Sequence, residues 1–126
     1  MDKNEIKIDG VKYVRKDSIK TLVKPLAKSK GDLSYCLVRT QNAGLFAGYF
    51  DKKNKSEVGT VFNARRIWYW DGANSPSELA NEGVTKPQNC KFPAEVSEID
   101  LRQIIEVLPC SEKARLSIAG VKVWSQ

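Results

Sequence analysis

Two adjacent arginines and three aromatic residues lie close together in the segment NARRIWYWDGA, residues 63–73. Alternate side chains of a strand point to opposite faces, so Arg66, Trp68 and Trp70 would share one face, opposite Arg65. A guanidinium group binds phosphate with two parallel hydrogen bonds, and an indole ring stacks on a nucleobase. The segment therefore predicts a nucleotide-binding face. The alternative is a core strand with arginines at its rim, because aromatic-rich strands are common in protein cores.

Polar residues at a second turn extend this candidate site. Arg39 and Asn42 lie where a strand predicted over residues 33–40 gives way to the turn at residues 41–44. Binding groups often lie on such loops, although an arginine at the end of a strand can equally be a rim charge. The predicted ligand-binding residues are Arg39, Asn42, Asn63, Arg65, Arg66, Trp68 and Trp70.

Several kinds of catalytic chemistry are excluded by composition. The chain contains no histidine, which excludes Ser-His-Asp and Cys-His catalysis and histidine-ligated metals. Cys36, Cys90 and Cys110 are an odd number without short spacing, so we expect buried free thiols rather than disulfides or a zinc site. We therefore expect a protein that is not an enzyme, with no catalytic residues, no metal site and no cofactor.

The positive charge is concentrated near the N-terminus. The whole chain of 126 residues carries a formal net charge of +6. Residues 1–30 contain nine basic and four acidic residues, whereas residues 31–126 contain twelve and eleven. The basic part could attract polyanions or could be a solvated face. We expect a cytoplasmic location, because no apolar run reaches the length of a transmembrane helix and residues 1–5 lack the apolar core of a signal peptide.

The hydrophobic patterns predict an α+β fold. An N-terminal basic hairpin-helix arm over residues 1–30 has its turn at Asp9-Gly10 and a helix that begins at Asp17 and includes Leu26. The main domain, residues 31–126, is predicted as an antiparallel β-meander sheet or partly open barrel with two or three short helices in total. Its predicted strands are residues 33–40, 45–50, 56–62, the arginine–tryptophan segment, 91–97 and 99–108. Its helices are predicted to begin at Ser75 and Ser111 and to end near Gly83 and Gly120.

Three motifs carry a resemblance to a known group of proteins. They are VRT-x-x-AG-x-x-x-G at residues 38–48, NARRIW-x-W-x-GA at residues 63–73 and IEVLPC at residues 105–110. Together they resemble a family of small uncharacterised phage proteins over about residues 33–126. The second motif is the most specific of the three.

The resemblance extends to the Thoeris anti-defence (Tad) sponges of phages. It implies a protein that binds and sequesters a nucleotide immune signal without cleaving it, in the cytoplasm of an infected bacterial host. The implied ligands are cyclic ADP-ribose isomers and, for some members, cyclic oligonucleotides. It also implies a homo-oligomer, either a dimer or a hexamer, and no membrane partner. The strand arginines Arg65 and Arg66 are the residues onto which the family's phosphate contacts map best.

Three other functions are compatible with the same residues. A single-stranded nucleic-acid-binding module could use the lysine-rich arm and the arginine–tryptophan segment. A phage inhibitor of a host protein could present the aromatic face to its partner. A hydrolase of the same signal would turn the ligand over instead of holding it.

Overall fold

The computed structural model of the protein describes residues 25–125, so the hairpin and the helix predicted within residues 1–24 lie outside the described part. Five antiparallel strands form one sheet in the spatial order β4-β3-β2-β1-β5. The strands are β1 (Ser34–Thr40), β2 (Leu45–Phe50), β3 (Gly59–Ile67), β4 (Val96–Leu101) and β5 (Ile104–Pro109). The helices are α1 (Pro76–Glu82) and α2 (Glu112–Ala119), with a short 3-10 turn at Pro87–Asn89. The predicted α+β class and antiparallel meander are confirmed.

The sheet is strongly curled because its two edge strands follow one another in the chain. Two residues, Arg102 and Gln103, separate β4 from β5. The Cα atoms of Leu101 and Ile104 can therefore be no more than about 11 Å apart. The main-chain N–H of Ile104 also donates to the carbonyl of Glu57, before β3, at 2.9 Å. The two edges therefore approach each other at one end, although β4 and β5 are not paired and the sheet stays open.

Each face of the sheet has its own hydrophobic core. On the concave face, residues of both edges meet in one cluster with Cys36, Val38, Phe46, Phe50, Val61, Ala64, Leu101 and Ile104. On the convex face, α1 and α2 pack against alternate residues of β1 and β2, such as Leu37 and Ala47. This helix-side core also contains Ile118 of α2 and Phe92, which are fully buried. Burial on both faces explains why β1 and β2 are almost continuously apolar.

Both helices begin at serine caps, as the sequence predicts. The Ser75 hydroxyl accepts from the N–H of Glu78 at 3.2 Å, with Pro76 in the first turn. The Ser111 hydroxyl accepts from Ala114 at 3.0 Å and donates to the carbonyl of Asn81 at 2.6 Å. Ser111 therefore starts α2 and also joins it to the end of α1.

Several predicted element boundaries are wrong. The segments predicted at 56–62 and 63–70 form one strand, Gly59–Ile67, and the chain then turns away so that Tyr69 forms an isolated bridge with Lys91. Most of the strand predicted over residues 91–97 is absent, since β4 begins at Val96. The single strand predicted over residues 99–108 is divided between β4 and β5 by a turn at Gln103, whose φ is 59°. Leu26 lies in an isolated bridge with Ser111 and not in a helix. No helix in the described part of the chain is long and apolar enough to cross a membrane.

A bulge in β3 depends on the lack of a side chain at Gly48. The register between β2 and β3 shifts between Ala47 and Tyr49, and Asn63 has a φ of 51°. A Cβ atom on Gly48 would lie 2.6 Å from Cγ1 of Val61 and 2.7 Å from the carbonyl oxygen of Phe62. Gly48 is thus required for the close approach of the two strands.

Gly48→Ala should lower the free energy of unfolding by about 1–3 kcal/mol, because the added methyl group must displace main-chain atoms. Urea denaturation of the two proteins measures this difference. Gly120→Ala is the matched control, since its added Cβ atom meets nothing closer than the Leu116 oxygen at 3.3 Å and its φ is −81°. Equal effects of the two substitutions would contradict the role of Gly48 in the bulge.

Candidate functional site

The Arg65 side chain is turned inward and bonded to four main-chain carbonyls. Its Nη1 donates to Ile118 at 2.8 Å, and its Nη2 donates to Val121 at 2.6 Å and Phe92 at 3.3 Å. Its Nε donates to Pro93 at 3.1 Å. Burial lowers the pKa of this guanidinium from its usual value. Arg65 therefore connects β3 to the Phe92–Pro93 segment, to the end of α2 and to the chain after α2, so its role is structural.

A cleft of about 380 Å³ opens beside Arg65 on the convex face of the sheet. Its volume is within the range of small-molecule pockets. The residues that line it come from the segment before β1, from the sheet, and from α2 and the chain that follows α2. They are Lys30, Tyr35, Tyr49, Asn63, Arg65, Glu95, Arg115, Ala119, Val121 and Val123.

A short polar chain crosses this cleft. The Nζ atom of Lys30 donates to Oδ1 of Asn63 at 3.2 Å, and Nδ2 of Asn63 donates to a carboxylate oxygen of Glu95 at 3.2 Å. The Asn63 amide reaches between the two charges because the β3 bulge gives it a left-handed conformation, which asparagine adopts more readily than most residues. The bulge thus places a lysine, an amide and a carboxylate along one wall.

Two tyrosines form the neighbouring wall. The Tyr35 and Tyr49 rings pack edge to face, with centroids 5.2 Å apart, and the Lys30 ammonium lies 4.8 Å from the Tyr49 ring centroid. Burial raises the pKa of the Tyr35 phenol above its usual range, and nearby Cys110 has a smaller effect in the same direction. The Tyr35 hydroxyl therefore stays protonated at neutral pH.

Arg115 brings a third cation to the cleft from α2. Its Nε and Nη2 atoms donate to the two carboxylate oxygens of Glu112 at 3.0 and 2.7 Å. These hydrogen bonds raise the pKa of Arg115 and lower the pKa of Glu112. The two hydrogen bonds to Glu112 hold the guanidinium in one orientation. They leave Nη1 without a hydrogen bond to the described residues. Lys30, Arg65 and Arg115 oppose one lining carboxylate, Glu95, so the cleft is suited to an anion.

The seven predicted ligand residues do not meet at one place. Asn63 and Arg65 line the cleft, whereas Arg66 lies over the Phe46 ring, 4.5 Å from its centroid. Arg39 pairs with Glu106 of β5 at 2.9 Å.

Asn42 donates to Gln103 at 2.8 Å, which places it beside the β4–β5 turn and away from the cleft residues. The predicted shared face of Arg66, Trp68 and Trp70 is correct for Arg66 and Trp68, which line one hollow, and wrong for Trp70. Trp68 is exposed, whereas Trp70 is half-buried against the helix-side core and donates to the Ala73 carbonyl at 3.2 Å. The alternation fails because β3 ends at Ile67, before both tryptophans.

Five polar or aromatic cleft residues were not predicted from the sequence: Lys30, Tyr35, Tyr49, Glu95 and Arg115. Tyr35 and Tyr49 are paired in register between β1 and β2, so two tyrosines on adjacent predicted strands were a usable signal. Lys30 and Arg115 are far apart in sequence and carry no such signal. Among residues 25–125, no three cysteine, aspartate or glutamate side chains are grouped so that they could hold a metal ion.

Arg65→Met should reduce the free energy of unfolding by at least about 2 kcal/mol, because it leaves several buried carbonyls without donors. Arg66→Met is the matched control and should cost less than about 1 kcal/mol, since Arg66 is exposed and donates to one carbonyl, that of Ala43, at 3.0 Å. Urea denaturation at neutral pH measures both. Similar losses for the two variants would refute the structural role of Arg65.

Stability should fall as the pH rises above about 9. All three cysteines are free and buried, as predicted, and burial raises the pKa of Cys36 to about 11 and that of Cys110 to about 12. Above the ordinary thiol pKa the unfolded chain loses protons that the folded chain keeps, so each thiol lowers stability by up to about 1.4 kcal/mol per pH unit. Denaturation at pH 7.5 to 10 should show this fall, with a shallower slope in Cys36→Ala/Cys110→Ala. An unchanged slope in the double variant would exclude these thiols as its source.

The chain matches the family model described as a domain of unknown function (DUF6948) over residues 33–118. The matched region runs from the start of the sheet to the last turn of α2 and thus includes all five strands and most of the cleft. No curated protein and no solved structure matches the chain. Because the family match covers more than half of the chain, the protein belongs to the DUF6948 family.

Proposed function

We propose that the protein binds a small phosphorylated nucleotide in the cleft and holds it without cleaving it. The observation that carries this proposal is the convergence of three cationic side chains and two tyrosines on one cleft of about 380 Å³. Nucleotides combine a negative charge, an aromatic base and ribose hydroxyls, and each has a counterpart among the lining residues.

The individual contacts can be assigned by chemistry. Lys30 and the uncommitted Nη1 of Arg115 are the phosphate-binding donors. The Tyr49 ring packs against the base, and Asn63 and Glu95 hydrogen-bond to ribose hydroxyls. Arg65 contributes its positive charge while its N–H groups remain on the carbonyls that they already contact.

Binding without cleavage is favoured by the protonation states of the lining groups. A hydrolase needs a general base that accepts a proton from the attacking water. Tyr35 and Arg115 are protonated at neutral pH even at their ordinary pKa values, and burial of Tyr35 and the hydrogen bonds that Arg115 donates to Glu112 raise both pKa values further. Neither group therefore accepts that proton, and the lining carboxylate, Glu95, already accepts a hydrogen bond from Asn63.

The resemblance to phage Tad sponges narrows the ligand to a cyclic ADP-ribose isomer, with a cyclic oligonucleotide as the second choice. The protein would then act in the cytoplasm of an infected bacterium. Tight capture requires a closed pocket, whereas this cleft is open on one side. We therefore propose that a second copy of the chain covers it, in a dimer or hexamer.

The first experiment tests capture. The protein is incubated with cyclic ADP-ribose isomers, free ligand is removed, and the heated sample is analysed by mass spectrometry. Intact ligand released by heating supports sequestration. No captured ligand, with the input unchanged, would overturn the ADP-ribose assignment, and a converted ligand would overturn binding without cleavage.

Lys30→Met should weaken capture about tenfold or more, because it removes one phosphate-binding charge, and this corresponds to at least about 1.4 kcal/mol. Titration calorimetry with the captured ligand measures the change. Lys53→Met is the matched control, since Lys53 lies in the exposed turn after β2. The affinity of this variant for the ligand should lie within about twofold of that of the unmodified protein. Equal affinity of the two variants would place the ligand outside this cleft.

A further inference from the structure

A second cluster of aromatic and basic side chains lies just beyond the end of β3. Trp68 is 59% exposed although it is one of the largest apolar side chains in the protein. Its ring packs edge to face against Trp124, with centroids 4.9 Å apart at 75°. The Lys91 ammonium lies 5.6 Å from the Trp124 ring and 5.9 Å from the rings of Trp68 and Tyr69. Large apolar side chains that are exposed together often mark a binding surface.

The two indoles are held in place by one short piece of main chain. The main-chain N–H of Trp68 donates to the Lys91 carbonyl at 3.2 Å, and the main-chain N–H of Trp124 donates to the Phe92 carbonyl at 3.0 Å. Phe92 is itself fully buried in the helix-side core. The indoles are therefore attached to the core, which reduces the entropy that they lose when they bind a partner.

Two hollows with basic walls flank the indole pair. One, of about 400 Å³, contains Trp68 and Arg66, and the other, of about 470 Å³, contains Trp124 and Lys122. Neither hollow has an aspartate or glutamate among its lining residues in the described part of the chain. Among the described residues, the Arg66 side chain forms one hydrogen bond, to the Ala43 carbonyl, and no ion pair. Most of its donors therefore remain available.

We propose that this surface binds single-stranded nucleic acid. Arg66, Trp68, Lys91, Trp124 and Lys122, which we name the aromatic track, alternate cations with rings. Bases of a single strand stack on the indoles, and the phosphates between them contact the cations. A duplex conceals the faces of its bases, so it lacks the stacking contribution.

The charge of the surface distinguishes this partner from a protein. The centres of protein–protein interfaces are depleted in lysine, whereas here Lys91 lies among three aromatic rings, two of which, Trp68 and Tyr69, are exposed. The hollows on both sides of the indoles indicate a ligand longer than one nucleotide. The aromatic track adjoins the cleft described above at Val123, but the cleft and the two hollows have no charged lining residue in common.

The test is fluorescence anisotropy with a labelled oligo-dT of about twelve nucleotides, within the usual site size for single strands. We expect binding at about 50 mM salt that weakens steeply by about 200 mM, because several phosphates are contacted. Trp68→Ala should weaken binding at least tenfold. This variant should remain folded because Trp68 is exposed, and circular dichroism checks that it does. Lys30→Met is the control and should bind the oligonucleotide within about twofold of the unmodified protein.

Three results would overturn the proposal. The first is no binding of the oligonucleotide at low salt, and the second is equal binding by Trp68→Ala. The third is a protein dimer that Trp68→Ala dissociates, measured by light scattering, because the indoles would then be buried between two copies. Loss of nucleotide capture in Lys30→Met with oligonucleotide binding unchanged separates the two sites, so either proposal can fail without the other.

Discussion

The hydrogen bonds of Arg65 to four carbonyls connect the parts of this fold. They join the middle of the sheet to the Phe92–Pro93 segment, to the end of α2 at Ile118 and to Val121. A charged donor inside a protein forms stronger hydrogen bonds than a neutral one, and its removal leaves several acceptors unsatisfied. The packing of the helical layer on the sheet therefore depends on a polar interaction as well as on apolar burial.

The same interaction shapes both of the surfaces for which we propose ligands. Since the N–H groups of Arg65 are occupied, the cations of the cleft that keep unused donors are its neighbours, Lys30 and Arg115. The Phe92 segment that Arg65 anchors also holds Trp68 and Trp124 at the edge of the molecule. Two surfaces of different chemistry, a tyrosine-walled cleft and an aromatic track, are thus built on one internal connection.

Neighbouring arginines in the sequence acquire different roles because they lie on opposite faces of β3. Arg65 faces the helix-side core, whereas Arg66 lies over Phe46 and keeps most of its donors available. The sequence indicated that these arginines lie on opposite faces, and this is correct. It could not show which face the helices would cover, since that depends on how the β4–β5 turn and α2 pack against the sheet.

Local patterns determined much of the fold, including β1, β2, both serine-capped helices and the free buried thiols, because these depend on neighbours in the chain. The end of β3 could not be predicted in this way. The run of residues typical of strands continues through Trp70, but pairing with Lys91 ends the strand at Ile67. The cleft likewise joins Lys30 to Arg115 across 85 positions of sequence, and only the tertiary structure places such distant residues together. The sequence by itself therefore determined most of the elements, whereas tertiary packing decided where β3 ends and which side chains meet.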